Sequence, residues 1–152
     1  MQIGIPREIY PEECRVAATP EVVTHLTRLG FAVKLETDAG RAANFSDAAY
    51  AQSGATILTS AAEIWESSDI LLKVRGPSEH PVLGLHEASL LNQKQTLICF
   101  IWPGQNSELL SRLSDSGACV LAMDAVPRIS RAQKFDALSS MANVAGYRAV
   151  IE

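Results

Sequence analysis

Cysteine is scarce in this chain, three residues among 152, and Cys14, Cys99 and Cys119 stand far apart with no paired metal-ligand spacing. So sparse and odd a set argues against a disulfide framework and suits a reducing compartment. Cys99 and Cys119 lie in strand-like apolar runs, and both are expected to be small buried hydrophobes. No apolar run approaches the ~20 residues that span a bilayer. The opening MQIGIPRE lacks the basic region and apolar stretch of a secretory signal. Lysine and arginine form no run and the net charge is −4, so nucleic acid and anionic membrane surfaces are poor partners. No Gly-x-Gly-x-x-Gly follows any strand and there is no Walker-type loop, so the usual phosphate-cradling turns are missing. His25, His80 and His86 make no metal pattern, and no Ser/His/Asp set rises above background.

Present instead is an alternation of short β-branched runs with amphipathic stretches. Strands are read at Ile3–Ile5, Phe31–Leu35, Ala55–Leu58, Asp69–Val74, Thr96–Ile101 and Ala118–Met123. Thr19-Pro20-Glu21 opens a helix with a cap, a proline in the first turn and an acid at the positive end, and Gly30 closes it. Ser46–Gly54 reads as a short helix, and Ser60 with Glu63 forms a capping-box pattern ahead of another. Asn106 is expected to cap a helix carrying Leu109, Leu110 and Leu113 up to Gly117. Ala137–Glu152 reads as a helix whose apolar pattern is expected to continue beyond the chain. Alternation of this kind implies βαβ units, hence one doubly wound α/β lobe over residues 1–152 with a mainly parallel sheet of five or six strands, covered by helices on both faces. The segment from Gly76 to Pro81 reads only as turn-rich.

Open parallel sheets bind ligands beyond the carboxyl ends of their strands, which directs attention to the loops after Ile5, Val74, Ile101 and Met123. In the first, Arg7 and Arg15 are suited to a carboxylate or phosphate, or to ion pairs with the neighbouring glutamates. Lys73, inside DILLKV, either snorkels at the strand end or enters a cleft, and a structural role is the simpler reading. The loop after Met123 places Arg128, Gln133, Asp136 and Ser139 together, donors and acceptors suited to a carboxamide and a phosphate. The alternative is a solvated connection with Asp136 as a helix cap.

The segments IGIPRE (3–8), RVAATP (15–20), LLKV (71–74), FIWPGQN (100–106) and AMDAVPRISRAQ…DALSSMANVAGYRA (122–149) together resemble the N-terminal part of the alpha subunit of the proton-translocating NAD(P) transhydrogenases. The resemblance runs along essentially the whole chain. Its stretch from Met123 to Ala149 is the specific one, the others being shared with the alanine dehydrogenases. The resemblance implies a Rossmann-like first lobe of a two-lobe NAD(H)-binding component, the glycine-rich phosphate turn belonging to a second lobe. It implies that the loop after the last strand closes over the nicotinamide end of NAD through Arg128, Gln133, Asp136 and Ser139, with Gln133 nearest the reacting centre. Hydride would pass to NADP(H) on a separate domain, coupled to proton movement through a membrane subunit, with the component a homodimer on the cytoplasmic side. Such chemistry asks for positioning of two rings in a dry site, not for a protein nucleophile or a metal.

Two other readings stand beside it. Alanine dehydrogenases share this lobe and hold a keto acid through an arginine, a lysine and a histidine. Arg15 and Lys73 match the first two, but the histidine position falls at Trp102, which cannot serve as acid, base or carboxylate partner. The other is a non-enzymatic binding module, which only restoration of the missing parts would separate from the first.

Overall fold

The computed structural model describes residues 1–152. Six parallel strands form one sheet: β1 (Gln2–Ile5), β2 (Ala32–Glu36), β3 (Thr56–Leu58), β4 (Ile70–Arg75), and two that follow a small hairpin, β7 (Thr96–Phe100) and β8 (Cys119–Ala122). Their spatial order is β3-β2-β1-β4-β7-β8, so the chain winds outward from β1 in one direction and then outward from β4 in the other. The hairpin, β5 (Glu79–His80) with β6 (Leu85–His86), pairs antiparallel beside the sheet. The turn residues of this segment hid it, because each strand contributes only a pair of residues.

The helices begin where their caps dictate. Thr19 accepts the Val22 N–H ahead of α1 (Pro20–Arg28), Ser46 accepts the Ala49 N–H ahead of α2 (Asp47–Gln52), and Ser60 accepts the Glu63 N–H ahead of α3 (Ala61–Glu66). α4 (Ser107–Ser116) ends at Gly117, whose φ of 69° suits a residue without a Cβ. The expected Asn106 cap is not made through its side chain, because that amide donates instead to the Ile101 and Trp102 carbonyls. α5 (Ala137–Ile151) buries no residue.

Strand alternation splits the interior into two apolar layers. Ile3, Ile5, Val33 and Leu35 pack with Val23 of α1 and Tyr50 of α2. Leu71, Leu97 and Cys99 pack with Ile64 and Trp65 of α3 and Leu113 of α4. Helices therefore cover both faces, as the alternation predicts. β8 departs from it: no helix covers its outer face, Leu121 is 50% exposed and Cys119 is exposed. The expectation of a buried Cys119 was wrong, since apolar runs mark burial only where a neighbouring element exists to provide it. Cys99 is buried, which pushes its thiol pKa up to about 12.

β1 can approach α3 closely only because residue 4 is glycine. A Cβ there would lie 2.9 Å from the Cβ of Ser68 and 3.2 Å from Cγ2 of Ile64. Gly4→Ala is expected to destabilise the chain by about 1–3 kcal/mol, measured as a lowered urea midpoint with unchanged slope.

Candidate functional site

Neighbouring connections leave in opposite directions between β1 and β4, and this is where open α/β sheets keep their ligand crevice. In this lobe the crevice holds the chain's own carboxylate. Glu8, just after β1, accepts the N–H of Val74 (2.6 Å) and of Arg75 (3.2 Å), and lies 3.7 Å from the ammonium of Lys73. That ammonium, on a side chain 1% exposed, also donates to Glu87 at 2.9 Å. Glu87 accepts the Ser78 N–H with its other oxygen, so the cluster ties the hairpin segment to β4. Burial raises the Glu87 pKa, opposed by Lys73. Lys73 thus neither snorkels nor projects into an open cleft; it is a buried cation held by two acids.

A more exposed network continues outward. Glu13 accepts from the backbone and guanidinium of Arg15 and from Nε of Arg75, and these hydrogen bonds, Arg15 first, lower its pKa to about 2. Arg75 also lies over the ring of Tyr10, 4.8 Å from its centroid. Arg15 is therefore paired at home, and its remaining nitrogen reaches the Met141 sulfur of α5.

The loop after β8 folds into two short 3₁₀ segments, Met123–Ala125 and Ser130–Phe135. Asp124 turns back and accepts the N–H of Ile101 (2.9 Å) and of Trp102 (2.6 Å), anchoring the loop to the end of β7. Of the four sequence-derived site residues, the fold joins two directly. Asp136 accepts the Ser139 N–H at 3.0 Å and the Ser139 hydroxyl at 2.6 Å. Those bonds, with the charge of Arg128 a smaller cause, lower the Asp136 pKa. Asp136 is thus the N-cap of α5. Arg128 and Gln133 are exposed, and neither side chain is engaged in a hydrogen bond within the chain. Glu8, Glu87 and Asp124 escaped sequence reasoning. The one available signal for the first two was Lys73 itself, since an ammonium in an apolar strand demands acidic partners.

Strand order and crevice define a Rossmann-like α/β lobe. The chain belongs to the family described as alanine dehydrogenase/PNT, N-terminal domain, whose model matches residues 4–145. It is 57% identical over all 152 residues to the NAD(P) transhydrogenase subunit alpha of Cereibacter sphaeroides and 53% identical to that of Haemophilus influenzae, covering 28% of each. Alanine dehydrogenase of Halomonas elongata is 32% identical over 150 residues, 99% of this chain and 38% of that one. Among solved structures, the transhydrogenase of Sinorhizobium meliloti superposes with a TM-score of 0.89 at 38% identity, covering 99% of this chain and 43% of that one. An L-alanine dehydrogenase gives a TM-score of 0.75 at 34% identity over 83% of this chain and 33% of that one. The chain thus spans between 28% and 43% of the length of these relatives.

Removing the cation from the buried cluster is expected to strand Glu87. Lys73→Met should cost about 3–5 kcal/mol at neutral pH. Without Lys73 the folded-state pKa of Glu87 lies further above its unfolded value, so the deficit of the variant relative to the unsubstituted chain is least below about pH 4.5 and grows as pH rises through the folded pKa of Glu87. Chemical denaturation across that range checks the sign, and adding Glu87→Leu should recover most of the loss.

Proposed function

We propose that this chain is the first lobe of the NAD(H)-binding component of an NAD(P) transhydrogenase, which exchanges hydride between NAD(H) and NADP(H) in a complex that moves protons. The carrying observation is the 57% identity to a transhydrogenase alpha subunit across every residue of the chain, against 32% to an alanine dehydrogenase. The crevice supports the same reading. Glu8 occupies the backbone amides at the switch point with a negative charge, so a pyrophosphate does not fit there. A dinucleotide would need its phosphates held elsewhere, by a second, glycine-rich lobe.

This lobe would contribute the loop that closes over the nicotinamide end. The donor set fits: Arg128 and Gln133 have unspent guanidinium and amide groups, beside a carboxylate already held ionised by Ser139. Arg128 and Asp136 would fix the carboxamide end, Ser139 would add a hydrogen bond, and Gln133 would face the second nucleotide. NAD(H) supplies the hydride; the protein's part is to hold the ring in position and exclude water. The NADP(H)-binding domain, the membrane subunit, the homodimer and the cytoplasmic-side location follow from this reading. No helix of the chain is long and apolar enough to cross a membrane.

The alanine dehydrogenase alternative fares worse on the same residues. Lys73 is sequestered by Glu8 and Glu87, Arg15 is committed to Glu13, and Trp102 stands where the histidine is expected.

Calorimetric titration of the 152-residue chain with NADH should give no detectable binding, because the phosphate cradle is elsewhere; micromolar affinity would require a redrawn division of labour. In the complete enzyme, Gln133→Asn should lower the hydride-transfer rate by about tenfold or more while NADH affinity changes little. Unchanged transfer would rule out a place for Gln133 at the reacting centre, and oxidation of alanine with NAD by the complete enzyme would defeat the transhydrogenase reading itself.

A further inference from the structure

The turn that follows β7 holds a large aromatic residue in a backbone conformation that L-amino acids avoid. Trp102 has φ = 56°, whereas the other non-glycine residues with positive φ are Glu12, Asp38 and Asn44. Short polar side chains such as Asp and Asn relieve this conformation locally; an indole does not. The turn is fixed from both sides. Asp124 takes the N–H groups of Ile101 and Trp102, and the Asn106 amide donates to the carbonyls of the same two residues, at 2.7 Å and 3.4 Å.

Packing does not account for this arrangement. Trp65, the other tryptophan, is wholly buried, but Trp102 is 44% exposed. It lines a crevice of about 920 Å³ at the carboxyl ends of β4 and β7, with Tyr10, Pro77 and Phe100 among the neighbours. A strained residue persists where its surroundings over-determine it, and such residues gather at ligand clamps. The same Asp124 that fixes Trp102 also starts the loop carrying Arg128, Gln133, Asp136 and Ser139. One carboxylate therefore ties the backbone that carries the indole to the start of the candidate nucleotide loop.

We infer that Trp102 is a stacking residue for a planar heteroaromatic ring of the bound nucleotide. The inference rests on the NAD(H) reading and adds a contact to it. A half-exposed indole offers a flat apolar face to any such ring, and fixing the backbone that carries it beforehand lowers the ordering cost of the binding step.

The test uses the complete two-lobe component labelled with 5-fluorotryptophan, the Trp102 fluorine resonance being assigned by its absence in Trp102→Phe. NADH is expected to shift that resonance. Trp102→Ala should weaken NADH by about tenfold and Trp102→Phe by less than about threefold. Trp102→Gly, which adopts positive φ freely, should raise Tm while losing the same affinity, an outcome opposite to that of a purely structural tryptophan. A shift with NADH but not with ADP-ribose assigns the nicotinamide ring, and a shift with both assigns the adenine; either supports the stacking role. NADH binding with a stationary Trp102 resonance and an unchanged Kd in Trp102→Ala overturns the stacking role alone. Absence of NADH binding to the unlabelled wild-type component overturns the nucleotide reading, and the stacking role with it.

Discussion

The ammonium of Lys73, buried between Glu8 and Glu87, is the constraint around which the carboxyl end of the sheet is arranged. A lone charge in that position would be prohibitively costly, so three separate stretches of chain must converge on it. The loop after β1 brings Glu8, β4 brings the lysine, and the 3₁₀ turn at Glu87–Leu90 brings the second acid together with the hairpin before it. Glu8 also accepts the N–H groups of Val74 and Arg75 at the end of β4, and Glu87 that of Ser78. The charge cluster thereby decides two things at once: the hairpin is fastened over β4, and the amides at the strand crossover are already occupied.

That second effect separates this lobe from the usual dinucleotide-binding half. Where a glycine-rich turn would leave open N–H groups aimed at phosphate, this sheet turns the same kind of donors inward to Glu8. Cations nearby are similarly committed, Arg15 and Arg75 to Glu13. Arg128 and Gln133, in the loop after β8, keep their side-chain donors free of hydrogen bonds within the chain. On the proposed function, the nucleotide contacts of this lobe move from the crossover to the loop that borders it.

Much of the fold was legible in the residues. Capping chemistry at Thr19 and Ser60 located two helix starts, and the apolar runs located all six strands of the main sheet, because each signal is local. What escaped is non-local. Asn106 looks like a cap, but the strained turn beside it competes for its amide. Glu87 sits in an unremarkable HEASL segment and is buried only because Lys73 is there to receive it. Cys119 reads as core, but lies with the exposed Leu121 on an edge strand whose outer face is uncovered. The candidate loop was located by its composition and its resemblance. Its anchor at Asp124 could not be, since that depends on where β7 ends.

The division of the apolar interior has a consequence in time as well as in space. Every buried member of the first layer lies between residues 3 and 55, and every buried member of the second between residues 64 and 113. During synthesis from the amino end, all the buried side chains of the first layer are present before any buried side chain of the second has been made. β1, the innermost strand by this route, then stands with one edge paired to β2 and the other waiting for β4. Gly4, where a Cβ would meet Ser68 and Ile64, leaves the room on β1 that lets the later half close against it.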